Sequence, residues 1–321
     1  MTGLIYAMHI SKTGKTRHLN PDEINVRPQK DGFIWLHFYR NDPETETFIN
    51  DDTETDQNAS LTLLADDSRP RTIPDQGNIM LNLRGVNLSE GGQPEDMIGI
   101  RFYVQSNRII SIEKRPLRAT QMMAESLKAR KAPMTTGGFL ASFAQALLEN
   151  MGPTVTDLNE QADALEENID DSSAAKSRGK IADLRRQAIL FRRYIAPQRD
   201  ALNTLALQNV DYITSDDRLR IRDAADQTTR ITEELEAIRE RCAIVKDQLT
   251  DMRAEEMNRN MMILSVVAAI FLPLGLISGM FGINVGGMPW TENASGFWFV
   301  TAAIIIIGLV QLLVFKILEW I

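Results

Sequence analysis

The spacing of apolar positions changes twice along the chain, and each change predicts a different kind of element. Up to about residue 120 the apolar residues come in short runs: Leu4 to Ile10, Phe33 to Phe38, Ile79 to Val86, Met97 to Val104 and Arg108 to Ile112. These runs are rich in β-branched and aromatic side chains and are separated by Gly, Pro, Asn and Asp, the pattern of strands punctuated by turns. Residues 1–130 therefore read as an α/β or α+β domain built on a small sheet. From Phe139 the period lengthens to that of a helix. Leu148, Met151, Val155, Leu158, Ala162, Leu165 and Ile169 recur at alternating steps of three and four, which draws one apolar seam along a long helix. After Ser172 and Ser173 a second seam follows at Ile181, Leu184, Ala188, Phe191 and Ile195. A third runs through Ile221, Ala224, Thr228, Ile231, Leu235, Ile238, Cys242, Val245, Leu249 and Met252, with no Pro or Gly between Val210 and Phe271. Residues 131–260 are expected to form a long-helix bundle and coiled-coil stalk. Its last helix would continue unbroken into the apolar tail, on the order of 80 Å long at ~1.5 Å per residue. A rod of that length needs partners: the preceding hairpin, further copies of itself, or both.

The second change is to no period at all. Met261 to Phe281 and Phe297 to Phe315 are runs of 21 and 19 residues without Asp, Glu, Lys, Arg or His. At ~1.5 Å per residue each reaches roughly 30 Å, the thickness of bilayer hydrocarbon. Both read as transmembrane helices, 261–281 and 297–315, joined by a loop over 282–296 and followed by a tail over 316–321. The other reading is a helical hairpin buried in a soluble core. Arg253, Arg259 and Lys316 lie just outside the runs, whereas the loop has no Lys or Arg. By the positive-inside rule both termini are cytoplasmic and the loop is periplasmic, in a cell inner membrane. Met1 to Ile10 lack the basic start and long apolar stretch of a cleavable leader, so the polar part is expected to stay in the cytoplasm.

Composition hides this division behind a mean hydropathy of -0.19. Of 35 basic and 43 acidic side chains, only Lys316, Glu292 and Glu319 follow residue 260, and the whole chain carries a net charge of -8. An acidic chain with no basic patch interleaved with aromatics excludes nucleic acid as the expected partner. Charges also sort by helix. Asp157 to Asp171 holds seven acids and no bases, and Lys176 to Arg199 holds eight bases and one acid, Asp183, so the two helices packed as a hairpin would neutralise each other. Between Asp42 and Asp56 lie seven acids and no base, which reads as a solvated helix or loop, with a cation-attracting surface as the sharper alternative. Cys242 sits on the third seam as a small buried apolar residue, and a lone cysteine suits a reducing compartment.

Two spans cannot enclose an aqueous path, so a conductor built from this chain must be an oligomer with one span per subunit forming the wall. The first span is the pore-lining candidate. One of its faces reads Asn258, Met261, Ser265, Ala268, Leu272, Gly275 and Gly279 at heptad spacing, mostly small or weakly polar. The second, with Ile304 to Ile307 consecutive, is bulky and suited to lipid. Small residues also let two spans pack closely, which is the competing explanation of the first face.

The first span ends in Gly279-Met280-Phe281-Gly282-Ile283-Asn284, followed by Val285-Gly286-Gly287-Met288-Pro289. The stretch from Phe271-Leu272-Pro273 to Asn284 resembles the CorA superfamily of divalent-metal transporters, whose mark is Gly-Met-Asn after the first of two C-terminal spans. Ile283 in place of Met, and the Gly-Gly-x-Pro that follows, resemble the ZntB zinc-transporter branch. So do Arg69-Pro70-Arg71, the run from Leu83 to Asn87 and the run from Arg192 to Asp200, so the resemblance covers nearly the whole chain. It implies a funnel-shaped homopentamer with an α/β cytoplasmic domain, a ring of long helices and a pore lined by the first span. It also implies that Gly282, Ile283 and Asn284 form a selectivity motif at the outer mouth, with zinc as cargo and coupling to protons.

Carboxamide oxygens in a ring offer acceptors to the water shell of a divalent cation, and Gly keeps the neighbouring backbone uncrowded. Neither span holds an ionisable group for a proton relay. Glu292, in the loop, is expected to concentrate cations at the mouth. Bare zinc prefers His nitrogen and Cys sulfur. His9, His18 and His37 lack paired spacing and read as structural, so the ion is expected to cross hydrated and no metal ligand can be named. Lys12-Thr13-Gly14-Lys15-Thr16 looks like the end of a phosphate loop, but His9 stands where that motif needs its first Gly. No nucleophile with a paired base and no cofactor loop emerges, so no enzyme and no cofactor are expected. The partners expected are the lipid bilayer, divalent cations and the chain itself. Magnesium, cobalt or nickel as cargo is one alternative, and a membrane-anchored coiled-coil scaffold is another.

Overall fold

A computed structural model describes residues 2–24, 31–52, 55–66, 69–129, 133–167, 174–283, 289 and 294–318. It divides into two units, Met1–Lys246 and Asp247–Ile321.

Among the described residues the first unit has seven strands: β1 (Leu4–Ile10), β2 (Thr16–His18), β3 (Phe33–Tyr39), β4 (Arg71–Asp75), β5 (Asn78–Gly85), β6 (Ile98–Val104) and β7 (Arg108–Glu113). Their order is β2-β1-β3-β7-β6-β5-β4, antiparallel throughout except for the parallel pair of β3 and β7. The five apolar runs all form strands, but the sheet is not small. The two further strands close its edges, and their sequences, Thr16-Arg17-His18 and Arg71-Thr72-Ile73-Pro74-Asp75, are too polar to stand out. An edge strand needs no apolar face on both sides and tolerates Pro74. The turn from β4 to β5 uses positive φ at Gln76 (46°) and Gly77 (90°), which matches the twist of a two-residue hairpin.

Helices cover both faces. Among the described residues the shorter helices of this unit are α1 (Pro21–Ile24), α2 (Pro43–Asp51), α3 (Gln57–Leu64) and α4 (Arg118–Lys128), while α8 (Gly296–Ile317) belongs to the second unit. The long ones are α5 (Thr136–Glu167), α6 (Ala174–Ala206) and α7 (Ser215–Gly282). One core packs Trp35, Leu81, Phe102 and Ile109 against α4, α5 and the adjoining parts of α6 and α7, through Phe139, Phe143, Leu202 and Ile221. The other packs Leu36, Phe38, Ile110 and Ile112 against Ile49 of α2 and Ala59 and Leu63 of α3. Burial on both faces explains why the central strands read as continuous apolar runs rather than alternating ones.

Among its described residues the acidic stretch from Asp42 to Asp56 forms a largely solvated helix and its flanks, with Glu44, Glu46, Asp51 and Asp56 exposed. Asp42 caps α2 by accepting from Glu44 N at 2.9 Å, and Asp56 caps α3 by accepting from Asn58 N at 3.2 Å. Asp52 accepts both guanidinium arms of Arg108, at 3.1 and 2.8 Å, so it ties the end of α2 to β7. Within it, Asp42 and Asp56 serve helix starts and Asp52 serves one buried cation.

The three helical seams are buried as their spacing predicts, with Leu165, Ile231 and Met252 half-buried and Ile169 outside the described residues. Among the described residues, the third helix also supplies counter-charges to both of the others. Arg241 of α7 holds Asp163 and Glu166 of α5, and Glu236 of α7 pairs with Arg192 of α6 at 2.8 Å. Arg186 of α6 meets Glu95 at 3.5 Å, so the described charges are met from α7 and from the segment before β6. Arg241 also holds the Glu166 carboxyl below the usual glutamate range through its hydrogen bonds. Cys242 is buried and burial pushes its thiol up, as suits an inert apolar position.

Helix α7 begins with a reciprocal cap: Thr214 N donates to the Asp217 carboxylate at 3.0 Å and Asp217 N donates to the Thr214 hydroxyl at 3.2 Å. From there to Gly282 it is one helix of 68 residues. The runs around Arg84 and Tyr194, which carried part of the family resemblance, dock α6 on the sheet. Gln198, buried, accepts from Arg84 N at 2.7 Å, and the Arg84 guanidinium lies 4.0 Å from the centre of the Tyr194 ring.

Candidate functional site

The apolar end of α7 and all of α8 are each long and apolar enough to cross a membrane. From Met261 onward, Val266 and Gly296 are the buried residues among those described. A hairpin serving as a soluble core would bury most of both helices, so the pair has the exposure of lipid-facing spans.

The two faces of span 1 have different roles. Val266, Ile270, Pro273, Leu274 and Ile277 lose exposure, and Leu274 lies beside Gly308 of α8, where an added Cβ would meet its Cδ1 at 3.6 Å. Asn258, Met261, Ser265, Ala268, Leu272, Gly275 and Gly279 are all exposed. At ~100° per residue the two sets point to nearly opposite sides of the helix. A Cβ added at Gly275, Gly279 or Gly282 would meet nothing within 4 Å. The small residues of that seam therefore do not serve contact between the two spans of one protomer, which was the competing explanation. The glycine that does so is Gly308 of span 2.

Polar groups inside the pair are settled locally. The Ser265 hydroxyl donates to Met261 O at 2.8 Å, and Thr301 donates to Phe297 O at 2.8 Å. Pro273 has no N–H, so the carbonyl four residues earlier, Ala269 O, loses its helical donor. Gln311 of α8 supplies one, with its Nε2 at 3.4 Å from that oxygen. Reading the sequence overlooked Gln311, although a proline in one span and a lone carboxamide in the next were visible. Gln311→Leu is expected to weaken the helix pair by about 0.6 kcal/mol, the usual worth of such a bond in a membrane. The effect is modest because Gln311 Oε1 is enclosed without a partner and its removal offsets part of the loss. Thermal unfolding in detergent measures it.

Gly282 closes α7 and Ile283 follows, exposed. Asn284 and Glu292 lie outside the described residues. Among the described residues no group of three or more His, Cys, Asp or Glu is arranged to hold a metal. One cluster resembles a hydrolytic triad: His37 Nδ1 is 2.8 Å from Ser111 Oγ and His37 Nε2 is 3.3 Å from Glu113 Oε1. All three side chains are buried in the sheet, Ser111 Oγ also accepts from Trp35 Nε1 at 2.8 Å, and Thr120 donates to Glu113 at 2.8 Å. The cluster is a polar lock between β3, β7 and α4 with no access for a substrate. Tyr6 stacks on His37, and its phenol is pushed up by burial, then by Glu113 and Glu125. His9 Nε2 bonds the carbonyl of Asp31 at 2.8 Å, a structural role as expected.

Two apolar spans after a domain of this fold agree with the resemblance, and a family model decides it: the description "CorA-like Mg2+ transporter protein" matches residues 30–316. The chain belongs to the CorA-like transporter family. It is therefore a membrane protein of a family of divalent-cation transporters and not an enzyme. The divalent cation transporter CmaX of Pseudomonas aeruginosa is 34% identical over 324 residues, 99% of this chain and 97% of that protein. The zinc transport protein ZntB of Pectobacterium atrosepticum is 28% identical over 96% of this chain and 93% of its own length. The full-length CmaX structure superimposes with a TM-score of 0.85 at 32% identity, covering 99% of this chain and 98% of that one. The CorA magnesium transporter of Methanocaldococcus jannaschii gives 0.82 over 99% of both chains at 19% identity, which shows the shared fold. The CorA-like fold thus holds from the sheet through α7 to the two terminal spans.

Proposed function

We propose that the chain is one subunit of a homo-oligomeric pore, a homopentamer by resemblance, that carries zinc across the inner membrane with both termini in the cytoplasm. One observation carries this reading: the small, weakly polar seam of span 1 faces away from span 2 and is exposed in the protomer. Copies joined along that seam would each contribute one span to a wall around an axis. The residues assigned to that wall are Asn258, Met261, Ser265, Ala268, Leu272, Gly275 and Gly279. Asn284, two residues past the end of α7, would then present a ring of carboxamide oxygens to an arriving hydrated ion, with Gly282 and Ile283 beneath it.

Zinc is supported by Ile283, which stands where the magnesium-associated motif has Met, and by relatives named as zinc transporters. The spans hold no His, Cys, Asp or Glu, so zinc crosses with its water shell. The driving force assigned is the proton gradient, with proton handling outside the spans, and Glu292 concentrates cations at the mouth. The family description favours a second reading, magnesium as cargo.

Reconstituted vesicles test both readings. Zinc is expected to enter faster than magnesium and faster still with an inward proton gradient, and Asn284→Ala is expected to slow entry. Glu292→Gln is expected to lower zinc entry most at low salt, where an unscreened carboxylate acts over a longer range. Faster magnesium than zinc sinks the zinc assignment, and no flux under any gradient leaves a scaffold.

A further inference from the structure

Between Phe299 and Phe315 the polar side chains of span 2 are Thr301 and Gln311. Thr301 settles its hydroxyl on its own helix, at Phe297 O, whereas the Gln311 carboxamide reaches across to α7 and places Nε2 3.4 Å from Ala269 O. A carboxamide in hydrocarbon is costly, so its place in a span calls for a specific use.

The carbonyl it meets is the one that Pro273 leaves without a helical donor. The proline ring also crowds that carbonyl, so a helix opens on the side of its proline and bends toward the other. In α7 the opened side faces α8. Ile270, Pro273 and Leu274 lose exposure there, and Leu274 lies beside Gly308, three residues before Gln311 on the same face of α8. Pro273 also divides the small-residue seam: Asn258, Met261, Ser265, Ala268 and Leu272 precede it, and Gly275 and Gly279 follow it. A bend that opens toward α8 therefore carries the segment after Pro273 toward the seam side. The tie from Gln311 to Ala269 O holds the open turn against α8 and limits that movement.

We propose that Gln311 is a positioning residue for metal passage: through Ala269 O it fixes the bend of α7 at Pro273, and with it how far Gly275 and Gly279 stand back from the pore axis. The inference rests on the reading of span 1 as the pore wall. Both glycines lack side chains, so backbone bounds the path there and a shift of the backbone changes its width directly. A bond that only joined the two spans would act on stability alone, whatever residue stood at position 273.

Entry of zinc and of magnesium into vesicles holding the full-length protein tests this with four proteins: the parent, Gln311→Leu, Pro273→Ala and the double variant. Gln311→Leu is expected to lower entry of either ion by about threefold, the population shift that one interhelical hydrogen bond in a membrane carries. Pro273→Ala restores an N–H at that position, so Ala269 O regains its helical donor, and in that background Gln311→Leu is expected to change nothing further. Labelling of Gly279→Cys by a polar thiol reagent is expected to slow when Gln311→Leu is added. Labelling of Ser265→Cys, which precedes Pro273, is expected to stay the same, and the buried Cys242 gives a common background. Parent flux in Gln311→Leu, or an equal loss in both backgrounds, overturns the inference, as does labelling that changes alike at both positions. Failure of the pore reading shows differently: full flux in the variant with leucine at both Gly275 and Gly279 removes the wall, and the inference with it.

Discussion

Leucine at both Gly275 and Gly279 is expected to reduce metal flux to the level of protein-free vesicles while the protomer folds and inserts normally. The protomer tolerates the change because a Cβ at either position meets nothing within 4 Å and both lie on the face opposite span 2. Leucine is also a better helix former than glycine, so α7 itself gains. The cost arises only where copies meet. If the seam lines a pore, every subunit places two added isobutyl groups toward the same axis, and a channel wide enough for a hydrated ion closes. If the seam lay against lipid, leucine would be neutral or slightly stabilising. Ile305→Leu is the control, because Ile305 is exposed on α8 at 56% and is expected to leave flux unchanged. Full flux in the double leucine variant would remove span 1 from the wall.

Arg108→Met is expected to destabilise the polar unit by about 3–5 kcal/mol, the cost of leaving one member of a buried ion pair uncompensated. Arg108 and Asp52 are 6% and 11% exposed and meet through two parallel hydrogen bonds, at 3.1 and 2.8 Å. Arg108 also donates to Gln105 Oε1 at 2.8 Å, so the loss unpins the β6 to β7 turn along with the end of α2. The double variant Arg108→Met, Asp52→Leu is expected to recover most of the loss, because it removes the stranded charge together with its partner. Arg241 offers the contrast. Its partners Asp163 and Glu166 are 61% and 41% exposed, and removing such a surface pair costs at most about 1 kcal/mol. Denaturant unfolding in detergent, with all three variants measured side by side, checks the order. An Arg108 variant no weaker than Arg241→Gln would contradict the assignment of the buried pair.

The central strands and the helical seams were legible because their signal is local. A strand buried on both faces must be apolar along its length, as β3 is from Phe33 to Phe38, and a long helix in a bundle must repeat its apolar residue every three or four positions, as α7 does from Ile221 to Leu249. The edge strands β2 and β4 carried no such signal, since what makes them strands is the hydrogen-bonding edge of a neighbour. The pairing of Asp52 was hidden for the same reason: nothing near it in sequence announces Arg108, 56 positions away.

The candidate site shows the same division. Its membrane spans and the small-residue seam of span 1 could be read from residue types and spacing alone, and the motif at Gly282 to Asn284 from resemblance. The direction in which that seam faces could not, because it depends on where α8 packs, and Gly308 and Gln311 settle that by meeting Leu274 and Ala269.

By itself the sequence determined which stretches leave water for lipid, since a run of 21 or 19 residues without charge has no better solvent. It also determined the helical seams and most of the strands. Only the tertiary structure decided which face of span 1 is left for other copies and which charges pair. Desolvation acts residue by residue and leaves its mark in composition and period. Pairing joins side chains from distant positions, and it exists only once the chain has folded.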